Sequence, residues 1–186
     1  MTSLWFFTAV VGLVALERLA ELVVSRRNAA WSLARGGVEH GRSHFPPMVL
    51  LHTGLLAGCL LEAWLARPAV PLALAVAMFV LVLLAQGLRW WCIATLGRQW
   101  NTRVIVVPGL SLVRRGPYRL LPHPNYVAVA VEGFALPLLH LAWITALVFS
   151  ILNAGLLFVR IRVENAALVD LGSEHPVMEG AESGGS

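Results

Sequence analysis

A chain of 186 residues is one domain by length, and this one is 58% hydrophobic and 13% charged, with a mean hydropathy of +0.75. Soluble proteins carry about 25% charged residues, so the composition excludes a water-soluble globular domain and predicts an integral membrane protein. The 14 basic residues are all arginine and gather at the ends of apolar segments, as the positive-inside rule requires; the pI near 10.0 is therefore no sign of nucleic-acid binding. The lack of lysine reads as the codon usage of a GC-rich genome, which places the chain in a bacterial inner membrane.

The first apolar run, Leu4 to Val24, is long enough to cross about 30 Å of hydrocarbon. No basic residue precedes Arg18, so the run reads as a retained membrane helix and not as a cleaved signal peptide. Glu17, Arg18 and Glu21 interrupt its last third, with Glu17 and Glu21 on one face. They read as paired, snorkelling charges at the cytoplasmic edge, with support for a polar pocket as the alternative. Ser25 to Pro47 reads as a polar connection broken at Gly36 and Gly37, forming an interfacial cap over a substrate pocket. Its His40 and His44 have no further ligand close in sequence, so no metal site is predicted. Met48 to Ala66 is the second span, with His52 near its start and Glu62 near its far end, reaching for the outer interface. A turn from Arg67 to Pro71 leads to the third span, Leu72 to Ile93. Gln86 and Arg89 share a face there as a candidate polar lining, and Trp90 and Trp91 read as an interfacial belt. Cys59 and Cys92 lie inside spans without metal spacing and read as small buried residues.

Thr95 to Pro124 is the longest non-apolar stretch. Within it Val104 to Gly109 is β-branched and ends in a turn signal, which predicts a short extended segment. The sequence RRGPYRLLPHPNY, Arg114 to Tyr126, holds Pro117, Pro122 and Pro124. Each proline fixes its own backbone and restricts the residue before it, so the loop is rigid and holds His123, Asn125 and Tyr126 at the mouth of the next helix. Asn125 to Leu136 is a short apolar limb ended by Pro137, and Ile144 to Val159 is a second limb, giving a helical hairpin. Glu132, inside the first limb, must face protein. Asn153, Arg160 and Glu164 fall on one helical face that continues into RIRVENAALVD.

The fold expected is an all-α integral membrane protein with five transmembrane helices, the last two a hairpin, plus a cytosolic loop and a C-terminal helix. Residues 1–172 form one domain, and the tail 173–186, rich in glycine, serine and glutamate, reads as disordered. Five crossings put every arginine cluster on one side, with the N-terminus outside and the proline-rich loop in the cytoplasm; only Arg67 violates the pattern.

GPYRLLPHPNY followed by RIRVENAAL resembles the C-terminal core of the isoprenylcysteine carboxyl methyltransferase family, whose pattern is GPY, RHPxY, a hydrophobic hairpin and RxxxE. ERLAELVVSRRN and GGVEHGRSHFPPMVLLH resemble its bacterial branch, linked with O-methylation of alkylresorcinols and alkylpyrones. The RHPxY piece alone is also found in phosphatidylethanolamine methyltransferases and sterol reductases. A nicotinamide-dependent reductase therefore stays open as an alternative, beside a non-enzymatic membrane protein. The resemblance implies S-adenosylmethionine as cofactor in a core spanning about residues 95–170. It assigns cofactor contacts to Leu110, Ser111, Leu112 and Val113, to Tyr118, to His123, Pro124, Asn125 and Tyr126, and to Glu164. Arg160 is implied at the substrate as the catalytic residue. Two positions depart from the pattern: Pro122 replaces an arginine and Asn165 a second glutamate.

The chemistry implied is methyl transfer to a lipophilic small molecule arriving from the bilayer, with membrane lipid as the surrounding partner and neither metal nor nucleic acid involved. Methyl transfer is an in-line displacement, in which positioning supplies up to about 7–11 kcal/mol and an apolar wall desolvates the nucleophile. A carboxylate acceptor is already ionised at neutral pH, whereas a phenol, with a pKa of about 10, must lose a proton. Arg160 would favour a phenolate, and His40, His44 or Glu132 are the candidate bases. Taken alone, Arg160 and Glu164 would be an i,i+4 surface pair worth about 0.3–0.5 kcal/mol.

Overall fold

The computed structural model describes residues 2–110 and 113–174. Five α-helices carry these residues: α1 (Thr2–Leu33), α2 (Phe45–Ala66), α3 (Leu72–Leu96), α4 (Pro124–Leu138) and α5 (Trp143–Glu174). Three segments, Arg42–Ala66, Leu72–Gln99 and Trp143–Ala167, are long and apolar enough to cross a membrane. Their outward faces present Leu61, Leu65, Leu72, Leu84 and Ile151, each more than half exposed, which suits lipid and not water. The protein is a mostly helical integral membrane protein built on five α-helices. The 15 residues of α4 rise about 22 Å, short of a full crossing of about 30 Å.

Helix α4 is short and sits at the centre, between α3 and α5. Its buried face carries small residues, Ala128, Gly133 and Ala135 among them, which let its neighbours approach closely. At Gly133 a Cβ would lie 1.9 Å from Phe149 Cε1 of α5, so only glycine fits. Pro137 lies inside the last turn of α4, and Ala142 N–H donates back to its carbonyl at 2.9 Å to turn the chain into α5. Helix α2 runs antiparallel to α5. Glu62, near the far end of α2, receives the backbone N–H groups of Ile144 and Thr145, at 3.0 and 2.8 Å, and caps the first turn of α5. A carboxylate suits that position, because the first N–H groups of a helix lack internal partners and carry the positive pole. Helix α1 meets α2 at the same end of the bundle, through the Trp5–Trp64 ring pair and the Trp64 to Thr8 hydrogen bond.

Two sequence expectations change. Ser25 to Pro47 is not all connection: α1 continues without a break to Leu33, and the chain turns only at Gly36 and Gly37. The extension is polar because it satisfies the backbone of the α3–α4 loop. Asn28 Nδ2 donates to the Gly97 and Trp100 carbonyls, and Ser25 Oγ accepts from Thr102 N–H at 3.0 Å. Helix α5 likewise runs unbroken through RIRVENAALVD to Glu174, so Ser173 and Glu174 are helical; the rest of the expected tail, 175–186, lies outside the described residues. The extended segment at Val104 is present. Strand β2 (Val104–Val106) pairs antiparallel with β1 (Val38–His40), with Val38 opposite Val106 and His40 opposite Val104. This ribbon ties the α1–α2 connection to the α3–α4 loop at one end of the bundle.

Candidate functional site

The prolines of the central loop act locally as their chemistry requires. Gly116 takes φ 56°, and a Cβ there would meet Thr95 Oγ1 at 2.6 Å, so the loop enters tight against α3. Pro124 opens α4 and is buried, with His123 ahead of it in a non-helical conformation. Tyr126 therefore stands in the first turn of α4. Its hydroxyl donates to Glu164 Oε2 of α5 at 2.6 Å, and its ring stacks on His123 with centroids 5.4 Å apart. His123 Nδ1 lies 3.8 Å from the other oxygen of Glu164. Arg160, one turn before Glu164, does not pair with it. Its guanidinium lies over the Tyr126 ring at 5.6 Å, donates to the Thr102 carbonyl at 2.8 Å and contacts Met48 Sδ of α2. The plain i,i+4 surface pair is thus absent: the two charges hold different partners across the site.

These groups line one cavity of about 700 Å³, within the roughly 300–1,000 Å³ usual for small-molecule sites. Leu110, Val113, Tyr118, His123, Asn125, Tyr126, Arg160 and Glu164 all border it. Pro124 does not border it and serves only as the first residue of α4; Ser111 and Leu112 lie outside the described residues. Pro122, one of the two departures, also lines the cavity, and no guanidinium stands at that position. Burial beside Cys92 pushes the Tyr118 hydroxyl above the ordinary phenol range, so it stays a neutral donor and acceptor. Asn125 Oδ1 and Asn101 Nδ2 border the same space, and both are buried without a partner among the described residues. A buried acceptor and a buried donor left open are what a polar ligand would satisfy.

Away from this polar mouth the cavity reaches between the helices. Leu19 and Leu22 of α1, Val49 and Leu56 of α2, Val129 of α4 and Leu156 and Leu157 of α5 make its walls apolar. Its inner side meets a buried charge cluster that the sequence read as snorkelling. Glu21 is 2% exposed, receives Arg18 at 2.8 Å and is held by both Nε and a terminal nitrogen of Arg89. Arg18 also donates to Gln86 Oε1 and Glu132 Oε2, each at 2.9 Å, and Gln86 reaches Glu17. The charges turned inward because α3 and α4 supply counter-charges at the same height, which α1 alone does not reveal. Glu132 therefore faces protein as expected, but it is bonded to Arg18 and lies away from the cavity. His40 and His44 border a separate small recess with Glu39 and Arg103, and no metal-binding group of three occurs among the described residues.

One cavity thus joins a charge-bearing polar mouth to a chamber between the helices of a membrane-embedded protein. The chain belongs to the isoprenylcysteine carboxyl methyltransferase (ICMT) family, whose model matches residues 76–170, from α3 through α5. It is also 37% identical to the uncharacterized protein YpbQ of Bacillus subtilis (strain 168) over 162 residues, covering 87% of this chain and 96% of the relative. No solved structure matches the chain.

Proposed function

We infer that the chain is an S-adenosylmethionine-dependent O-methyltransferase of a bacterial inner membrane, acting on a lipophilic acceptor. The observation that carries this reading is that His123, Tyr126, Arg160 and Glu164 converge on one cavity that continues between apolar side chains of α1, α2, α4 and α5. When bound, the cofactor supplies an electrophilic methyl group on a sulfonium. The residues present fit it: Glu164 offers a carboxylate to its amine or ribose, His123 and Tyr126 offer a stacked aromatic surface, and Asn125 and Asn101 offer open polar atoms. The first turn of α4 adds a positive pole for its carboxylate. Arg160 stands between this group and the apolar chamber, where it binds an oxyanion on the acceptor.

The acceptor favoured is a phenolic or pyrone lipid of the kind methylated by the bacterial branch, ahead of a prenylcysteine carboxylate. The arginine-rich ends of α1, α3 and α5 and the starts of α2 and α4 meet around the mouth. That supports a cytoplasmic mouth with the N-terminus outside, and entry of the acceptor sideways between helices. Isothermal titration of the purified protein with S-adenosylhomocysteine and with NADPH tests the reading: binding of the first is expected. Binding of NADPH alone would replace it with a reductase of the sterol-reductase type. Transfer of labelled methyl to a long-chain resorcinol, set beside a prenylcysteine, tests the acceptor.

A further inference from the structure

Helix α2 offers the cavity a single stripe, Met48, Val49, His52, Thr53 and Leu56, in which His52 is the one ionisable side chain. Its Nδ1 lies 2.8 Å from the Met48 carbonyl. A carbonyl only accepts, so Nδ1 carries the hydrogen and Nε2 is left with its lone pair. Nε2 has no hydrogen-bond partner among the described residues. The ring is held further by an edge contact on Phe149 of α5, centroids 5.4 Å apart at 86°. Thus an imidazole of fixed tautomer and fixed tilt stands in the apolar chamber with a free basic nitrogen. The other ionisable groups that border the cavity are Arg18 and Glu21 of α1, Arg89 of α3, Arg103, Arg114, Tyr118 and His123 of the α3–α4 loop, Tyr126 of α4, and Arg160 and Glu164 of α5; His123 stands at the polar mouth beside Glu164. Both of these carboxylates are engaged, Glu21 by Arg18 and Arg89 and Glu164 by Tyr126. The other bases the sequence suggested are elsewhere: His40 and His44 in their own recess, Glu132 on Arg18.

We propose that His52 is the general base of the reaction, taking the proton from the hydroxyl of the phenolic or enolic acceptor favoured above. The inference rests on the methyl-transfer reading above. As the acceptor oxygen bonds to the methyl carbon, the carbon–sulfur bond breaks and its electron pair passes to sulfur. The hydroxyl proton passes to His52 Nε2, and the imidazolium releases it to water at the polar mouth. Arg160, whose guanidinium touches Met48 one turn before His52, stabilises the oxygen while its charge is exposed. A carboxylate acceptor would need no such base.

The test compares wild type with H52Q and H52N in full-length protein in lipid nanodiscs, with 5-pentadecylresorcinol and a prenylcysteine as acceptors. H52N keeps an N–H for the Met48 carbonyl and removes the base. General bases contribute about 10²–10⁴-fold, so both variants are expected to lose at least a hundredfold in resorcinol methylation at pH 7. The loss should shrink as pH rises toward about 10, where the phenol ionises unaided. S-adenosylhomocysteine affinity should stay within about twofold, which also reports that the variants are folded. A second readout needs no turnover: a long-chain nitrophenol bound with S-adenosylhomocysteine should show more phenolate absorbance in wild type than in either variant. If neither variant folds, the wild-type profile decides, with resorcinol turnover falling on the acid side as Nε2 takes a proton. A loss that is small or equal at every pH, an unchanged nitrophenol spectrum, a flat wild-type profile, or a wild type that methylates only the prenylcysteine would overturn the proposal. Each of these leaves methyl transfer itself intact; absence of S-adenosylhomocysteine binding by wild type would instead remove the reading beneath it.

Discussion

The Tyr126 hydroxyl donates to Glu164 at 2.6 Å, joining the first turn of α4 to α5 across 38 residues of sequence. The bond fixes both the ring that stacks on His123 and the carboxylate that faces the cavity. Hydrogen bonds to charged groups contribute about 1.5–3 kcal/mol, roughly tenfold to a hundredfold in affinity. E164A is expected to weaken S-adenosylhomocysteine by that range, and Y126F by less, since the carboxylate survives. Calorimetric titration of both variants checks this; an E164A affinity equal to wild type would remove Glu164 from the ligand.

Arg89 and Glu21 make a buried pair, both under 10% exposed, with Arg18 completing the contact. Removing one member of a buried pair costs about 3–5 kcal/mol because the other charge is stranded. R89M should therefore lower the melting temperature in detergent sharply. The double variant E21Q/R89M should melt above R89M alone, a non-additivity that only coupled partners produce.

Gly133 packs where a Cβ would overlap Phe149. Forced extra volume in a filled core costs about 1–3 kcal/mol, so G133A should destabilise the α4–α5 hairpin. F149L, which opens that space, should recover part of the loss. Because Phe149 also holds the His52 ring, F149L alone should lower methylation with little change in cofactor affinity.

Glu62 caps α5 from a neighbouring helix. Loss of a helix cap costs about 0.5–2 kcal/mol. E62A should lower the melting temperature, while E62Q, which still accepts the Thr145 hydrogen bonds, should lose less. Neither should alter S-adenosylhomocysteine binding, since Glu62 stands at the opposite end of the bundle from the cavity mouth.

Composition and periodicity sufficed for the class and the hairpin, because a bilayer demands long apolar runs and because proline and glycine punctuate them. The Asn153, Arg160 and Glu164 face was legible for the same reason: spacing along one helix is local information, and all three residues border the cavity. The loop residues His123, Asn125 and Tyr126 were legible through their motif and the prolines around them. What spacing along a single helix cannot carry is the partner on another helix. Glu17, Arg18 and Glu21 looked like charges escaping to the interface until Gln86, Arg89 and Glu132 were found at their height. Glu62 looked misplaced until the start of α5 was found beside it. His52 stood out near the start of the second span, but nothing in its own helix gave it a role. Only the antiparallel packing of α2 on α5 puts its free nitrogen in the chamber and leaves His40, His44 and Glu132 outside it, because which side chains share a cavity is decided by how helices cross.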